Sequence, residues 1–191
     1  RRPVTVADDA GGGEREIEVA SKCLRILFEG EPRDDYSSIK IAELGRSASG
    51  KYVASETFVP PCLFLSASAP LAATLRRVLE IISSKSSELS AQRRQRATGL
   101  VEFTMSEAAN FWFLHTVNAF IPVLMHYHQN PDVHPEGPFL ALARLAGELF
   151  TFAGDGHPKD LPAYDHDSPG GSFMAIEKRI GDLMITVIPT R

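Results

Sequence analysis

The side chains best suited to catalysis or metal binding lie in a short stretch of the C-terminal third of the chain. His157, His166 and Asp167 are residue types that ligate catalytic metals, and a carboxylate beside a metal can orient a bound water. A metal-dependent hydrolase with a His/Asp loop site is therefore one interpretation. Such an enzyme would need further ligands from its helices, and the predicted helical faces supply none. The favoured alternative is a rigid loop whose Asp and His side chains cap helix ends and whose Tyr164 packs on the helices.

Other enzyme signatures are absent from the sequence. His126 and His128 are two residues apart on a predicted helix, so they point in nearly opposite directions and cannot share a metal. There is no HExxH, GxSxG, Walker or GxGxxG motif. Cys23 and Cys62 are too few for a disulfide framework, and we interpret both as small buried hydrophobic residues. The residues predict no catalytic site, no metal and no cofactor.

The composition is that of an ordinary globular chain. The 191 residues are 43% hydrophobic and 23% charged, which excludes wholly disordered and collagen-like proteins. The 20 basic and 24 acidic residues leave a net charge of -4, whereas nucleic-acid-binding domains are usually strongly basic. No uninterrupted apolar run approaches the ~18 residues that indicate a membrane span. We therefore expect neither a nucleic-acid partner nor direct membrane insertion.

Residues 1–62 carry the sequence pattern of short strands. Alternating or β-forming residues occur in the stretches 16–19, 24–28, 39–41 and 52–53. Residues 47–50 (SASG) have the composition of a hairpin loop. Four short strands without a helix between them indicate an antiparallel sheet that is too thin to be complete. The sequence thus predicts a partial antiparallel β-unit.

After Pro60-Pro61 the apolar residues recur with the helical period of 3.6 residues. The two prolines mark the boundary because each disfavours helix in the residue before it. Four amphipathic helices are predicted, beginning near Ser68, at Thr104, after His134-Pro135 and after Ser168-Pro169. Thr104 and Glu107 form a capping box, and Pro122 is expected to kink the second helix. We expect an antiparallel four-helix bundle over residues 63–191. The predicted fold class is α+β, mainly α.

The first helix carries an apolar stripe at coiled-coil spacing and is predicted to reach Arg96. The stripe consists of Leu71, Leu75, Val78, Ile82 and Leu89. A long helix of this kind suits a rigid connector, so the residues favour a scaffold or binding module. A helical ligand-sensor domain is a further interpretation, and it would need a large polar-lined cavity inside the bundle.

Several motifs together resemble a known family. They are residues 16–20 (EIEVA), 24–32 (LRILFEGEP), 39–44 (IKIAEL), 58–63 (FVPPCL), 145–149 (LAGEL) and 162–167 (PAYDHD). In this order they resemble the TssK family, also called ImpJ or VasE, of baseplate proteins of the bacterial type VI secretion system. One departure is Ser168-Pro169, where a bulkier residue before the glycine is expected, and it is predicted to alter the cap of the fourth helix.

The resemblance implies a non-catalytic homotrimer without a cofactor, built from a β-sandwich shoulder, a helical neck and a head. Such a protein would join the baseplate through TssF and TssG, with TssG associated with the shoulder. The head would bind TssL and TssM of the inner-membrane complex, so the protein would be cytoplasmic and peripheral to that membrane. This chain would be the middle of a longer protein. Residues 1–62 would be a partial shoulder and residues 63–191 the neck, with the first shoulder strands and the head absent.

Two sets of residues follow as candidate sites. Leu75, Val78 and Ile82 are hypothesised to pack at the trimer axis, and the alternative is that this stripe is consumed inside one bundle. The second set is a structural loop motif that consists of Pro162, Tyr164, Asp165, His166 and Asp167.

Overall fold

The computed structural model of the chain describes residues 2–7, 11–96 and 105–186. The strands are β1 (Arg2–Ala7), β2 (Glu14–Val19), β3 (Leu44–Arg46) and β4 (Tyr52–Ala54). The long helices are α1 (Ala69–Arg96), α2 (Met105–Gln129), α3 (Glu136–Leu149) and α4 (Pro169–Thr186). Short 3-10 turns lie at Leu65–Ala67, Phe150–Phe152 and Pro158–Asp160. The protein is mainly helical with small antiparallel sheets, which agrees with the predicted class of α+β, mainly α.

The chain divides into two compact units, of which the first is Arg1–Ser38. In this unit β1 pairs with β2 in antiparallel register along the length of both strands. Gly12 has a φ of 66° in the turn before β2, a conformation that glycine adopts without steric cost. β2 contains the predicted stretch 16–19. β1 is missing from the prediction, although Val4 and Val6 alternate there with polar Thr5.

The predicted strands at 24–28 and 39–41 are wrong. Residues 24–28 are extended coil in the first unit, where Leu24 is 89% exposed. Residues 39–41 are coil in the second unit, and both isoleucines are exposed. Alternating side chains define the two faces of a strand, but the strand also needs a neighbour for its backbone hydrogen bonds. Cys23, predicted to be buried, directly precedes the unpaired stretch 24–28 and is exposed as well.

The second unit, Ile39–Arg191, begins with the β3–β4 hairpin. The backbone N–H of Ser47 donates to the carbonyl of Lys51 over 2.8 Å, and Gly50 has a φ of 80°. The predicted loop at 47–50 is therefore confirmed. Since this unit starts at Ile39, β3 and β4 are in the same compact unit as the helices. The domain boundary predicted after residue 62 stays a prediction.

The four helices share one apolar core. α1 contacts α2 and α4, and α3 contacts the same two helices, so each helix has two neighbours. The largest fully buried side chains come from all four helices and from the turn before α1. They are Leu65, Leu71, Leu75, Ile82, Phe113, Leu124, Phe139, Leu142, Leu145, Leu149, Phe173 and Ile176. In α1 the 3.6-residue period predicts the buried stripe correctly, because this helix finds its apolar partners within the same chain.

The helix ends follow local chemistry. Pro70 lies in the first turn of α1 and Pro169 begins α4, where the missing N–H of proline costs little. Pro122 lies inside α2, which nevertheless continues to Gln129. The predicted cap at Thr104 lies outside the described residues.

Candidate interaction surface

The residues predicted for a trimer interface, Leu75, Val78 and Ile82, lie in the core of the single chain. All three side chains are fully buried against the neighbouring helices. The stripe therefore packs inside a single chain, which is the alternative to a trimer interface. A second copy could contact them only if this core opened. Their assignment to a trimer interface stays a prediction, and the packing does not favour it.

A different helix presents an exposed surface at the same spacing. Residues of α2 at alternating intervals of three and four are all exposed, and we call them the α2 outer face. They are Trp112, His115, Ala119, Pro122, His126 and Gln129. Trp112 is 59% exposed, and its ring makes edge contacts with its helix neighbours Phe111 and His115. An exposed tryptophan on a regular stripe is typical of a contact surface.

The α2 outer face is distinguished by its lack of charge. From Ala108 to Gln129 the sequence contains no Asp, Glu, Lys or Arg. The outer surfaces of the other helices carry charged side chains, many of them in ion pairs along one helix. They are Arg76, Glu80 and Glu88 of α1, Arg144 and Glu148 of α3, and Lys178 and Asp182 of α4. α2 therefore lacks the charged face that a solvated helix ordinarily has.

The length and composition of α2 are also those of a helix that could span a membrane. Within the described part of the chain, the segment Glu107–Gln129 is long and apolar enough to cross one, with a mean hydropathy of 1.3. The core helix of a soluble protein passes the same test of length and composition. Phe113, Val117 and Leu124 of this helix are buried against the other helices. One side of this helix thus has protein partners in the folded chain, while Trp112 on the other side stays exposed.

The predicted loop motif forms an aromatic cluster at one end of the helices. The ring of Tyr164 lies 5.3 Å from that of Phe139 and 4.9 Å from that of His166, between ring centroids. His166 in turn lies 5.5 Å from His134, which precedes α3. Burial raises the pKa of Tyr164 to about 12, with a smaller contribution from Cys62 nearby. The phenol is therefore neutral and serves as packing for the loop.

The polar groups of the loop satisfy backbone donors. The carboxylate of Asp165 accepts the N–H of Asp167 over 2.9 Å, and the N–H of Asp165 donates to the hydroxyl of Ser172 in α4. Nδ1 of His157 accepts the N–H of Lys159, while Asp160 accepts the N–H of His157. This reciprocal pair is a capping box for the turn Pro158–Asp160. The loop is therefore self-capped, since its own side chains accept several of its backbone N–H groups.

The loop does not assemble a metal site. Among residues 2–7, 11–96 and 105–186, no group of three or more His, Cys, Asp or Glu side chains is placed to hold a metal ion. His157 uses one ring nitrogen as a cap, and His166 packs on Tyr164. Nothing in this arrangement favours the hydrolase interpretation.

The depressions on the second unit do not favour a ligand sensor. One depression in the described part of the chain has a volume of about 410 Å³ and is lined by Pro162, Lys178 and Asp182 among others. The other, about 220 Å³, lies between residues 56–59 and the helices α1 and α4. Both open on the surface, whereas a sensor domain of this type would need a cavity inside the bundle.

An ion pair that the sequence analysis missed joins α1 to α4. The guanidinium of Arg77 donates to both carboxylate oxygens of Glu177, and the hydroxyl of Thr74 donates to the same carboxylate. The hydrogen bonds from Arg77 lower the pKa of Glu177 despite its partial burial. The partners are 100 residues apart, so no local pattern could have identified them.

Comparisons with known proteins agree on one family. The family model described as "Bacterial Type VI secretion, VC_A0110, EvfL, ImpJ, VasE" matches residues 1–191. The type VI secretion system baseplate component TssK1 of Pseudomonas aeruginosa is 27% identical over 190 residues, which are 97% of this chain and 42% of that protein. The chain thus spans less than half the length of this curated relative.

Solved structures show the same fold. A chain of a type VI baseplate complex matches with a TM-score of 0.79 and 30% identity over 96% of this chain and 59% of its own length. A chain of a TssK–TssF–TssG baseplate subcomplex matches with a TM-score of 0.75 and 27% identity over 96% of this chain and 57% of its own. Since the family model covers every residue, the chain belongs to the VasE/ImpJ family of bacterial type VI secretion proteins.

Proposed function

We propose that the chain is a non-catalytic structural part of a type VI secretion baseplate and that it assembles with TssF and TssG. The observation that carries the proposal is the match of 96% of this chain to one solved in a TssK–TssF–TssG subcomplex. The self-capped loop and the apolar helical core agree with a rigid scaffold. A structural role also needs a contact surface, and the exposed α2 outer face is a candidate for one.

Within this function, residues 1–62 are proposed to be part of a shoulder sandwich and residues 63–191 an antiparallel four-helix bundle that forms the neck. The bundle is supported by the ring of contacts in which each helix touches two others. The shoulder is supported by the two antiparallel hairpins and by the exposed apolar residues at 24–28 and 39–41. In a larger sandwich these side chains would be covered and their backbone groups paired.

The protein is further proposed to be a homotrimer in the cytoplasm, linked to the inner membrane through TssL and TssM. These relations come from the family resemblance, and the curated relative is more than twice as long as this chain. The additional length is where contacts with the membrane complex are proposed to lie. Direct insertion into the membrane forms no part of the proposal.

Co-purification tests the proposal. The full-length protein carrying this chain, co-expressed with TssF and TssG of the same organism, is expected to elute with both after affinity capture of TssF. An unrelated tagged protein in place of TssF serves as the control for nonspecific capture. Failure to co-elute would contradict the baseplate assignment. Stoichiometric metal in protein purified without chelators would instead support the hydrolase.

A further inference from the structure

We propose that residues 58–66 form a strap that fastens the β3–β4 hairpin to one end of the helices, so that the hairpin and the helices move as one rigid body. The strap crosses the domain boundary proposed after residue 62. Separate parts of a chain ordinarily move relative to one another unless their contacts hold them together. The proposal goes beyond the baseplate function and does not depend on the partners named there.

Two apolar side chains anchor the strap in the shared core of the helices. Val59 is 4% exposed, and a Cβ at Gly170 of α4 would lie 3.0 Å from its side chain. Leu65, near the other end of the strap, is fully buried. Pro60 and Pro61 lie between the two anchors, and their fixed φ angles stiffen the strap. The hairpin can therefore tilt against the helices only if a buried side chain leaves the core.

The backbone of the strap is bonded to the connection between α2 and α3. The N–H of Leu65 donates to the carbonyl of Val133 over 2.8 Å. The N–H of Ser66 donates to the carbonyl of Pro131 over 3.0 Å, and its hydroxyl donates to the carboxylate of Asp132 over 2.6 Å. These directional bonds fix the position of the strap along the helices as well as its depth in the core.

The other end of the strap is tied to the hairpin. The N–H of Ser55 donates to the carbonyl of Glu43 over 2.8 Å, which extends the pairing of β3 with β4 toward the strap. The hydroxyls of Ser55 and Thr57 lie 3.0 Å apart. The amine of Lys40, which precedes β3, lies 5.0 Å from the centroid of the Phe58 ring. Contacts thus follow one another from the hairpin to the first buried residue of the strap.

Limited digestion with chymotrypsin tests whether the strap is docked. The side chains of Leu63 and Phe64 are 74% and 50% exposed, so the protease can recognise them, but cleavage requires the local backbone to open. In the full-length protein, Leu65→Ala should speed cleavage after Phe64 at least about tenfold. Leu140→Ala, at an exposed leucine of α3, should leave the rate unchanged. Each rate is divided by that of a peptide with the same local sequence.

A milder change leaves the cleaved bond and its neighbours intact. Asp132→Ala removes the hydrogen bond from Ser66 and should speed cleavage after Phe64 about fivefold. Asp155→Ala, at an exposed aspartate in the loop after α3, is the matched control and should not. Circular dichroism checks that each variant keeps its helices. The Asp132 and Asp155 variants decide the question if Leu65→Ala does not fold.

Spin labels test whether the hairpin and the helices move together. Labels are attached to Ala48→Cys in the hairpin turn and to Arg144→Cys on the exposed side of α3, with the other cysteines replaced by alanine. Double electron–electron resonance is measured on protein assembled with an excess of unlabelled chains, so that distances within one chain are read. We expect a single narrow distance distribution with the unmodified strap and a broader one in Leu65→Ala.

Three outcomes would overturn the proposal. The first is cleavage after Phe64 in the unmodified protein at the rate of the free peptide. The second is a folded Leu65→Ala or Asp132→Ala protein that is cleaved no faster than its control. The third is a broad distance distribution when the strap is unmodified. None of these measurements involves TssF or TssG, so failure of the baseplate function and failure of the strap are distinguished.

Discussion

The helical region and the N-terminal unit contain similar kinds of apolar side chains and place them very differently. Phe139 of α3 is 1% exposed and Phe28 of the first unit is 63% exposed. Helices of this chain have their packing partners within the chain, whereas the stretch around Phe28 pairs with no strand among residues 2–7 and 11–38. The comparison teaches that a helix needs only an apolar neighbour, while a strand also needs a neighbour's backbone.

The largest expected effect comes from truncating the two phenylalanines. In the 191-residue chain, Phe139→Ala should lower the free energy of unfolding by about 3–5 kcal/mol because it leaves a cavity in the shared core. Phe28→Ala should change it by less than about 0.5 kcal/mol, since its ring is already in water. Urea denaturation followed by circular dichroism measures both. Equal effects would contradict the difference between the two regions.

Two glycines of α4 give the next largest difference. A Cβ at Gly170 would lie 3.0 Å from the side chain of Val59, while at Gly181 it would meet nothing within 4 Å. Gly170→Ala should therefore destabilise the protein by about 1–3 kcal/mol through overpacking. Gly181→Ala should stabilise it by up to about 1 kcal/mol through helix propensity. Thermal unfolding of both variants checks the signs, and a stabilised Gly170→Ala protein would show that the Val59 contact is absent.

The ion pair between α1 and α4 predicts a dependence on acidic pH. Because Arg77 lowers the pKa of Glu177, the pair contributes stability that is present above the ordinary glutamate value, about 4.3, and is lost as the pH falls below it. Glu177→Gln should cost about 1 kcal/mol at pH 7 and flatten this part of the pH profile. Glu148→Gln on α3, where the pair with Arg144 is longer and exposed, is the control. If Glu177→Gln leaves the pH dependence of stability unchanged, the Arg77–Glu177 pair is not its cause.

The smallest effect is expected at alkaline pH. The raised pKa of Tyr164 means that the folded protein favours the neutral phenol, so its contribution is complete below pH ~10 and is lost as the pH rises toward 12. Tyr164→Phe keeps the ring packing and should remove this component while changing stability at pH 7 only slightly. Denaturation at pH 8 and pH 11 compares the two proteins. Identical losses in both would exclude Tyr164 as the group responsible.

Prediction from the sequence succeeded where the physical cause is local. The buried stripe of α1, the first-turn prolines and the hairpin loop at 47–50 follow from periodicity and turn chemistry within a few residues. In the 162–167 loop, the structure shows the predicted packing of Tyr164 on a helix in its contact with Phe139, and the side chain of Asp165 accepts the N–H of Asp167.

The features that local patterns leave undecided depend on partners that are distant in the sequence. The stripe of Leu75, Val78 and Ile82 has the spacing of an intermolecular seam, and nothing local distinguishes that from an intramolecular core. The Arg77–Glu177 pair joins positions 100 residues apart. The exposed face of α2 becomes visible only once its opposite side is seen to pack on α1 and α3.

Hydrogen–deuterium exchange of the full-length protein, alone and bound to TssF and TssG, tests the central claim of a baseplate scaffold most directly. Our account predicts slower exchange within residues 1–62 in the complex, because exposed extended segments such as 24–28 lie in the part proposed to bind these partners. The amides of the helical core should be protected equally in both samples. Exchange that is unchanged throughout residues 1–62 when TssF and TssG are present would contradict the account.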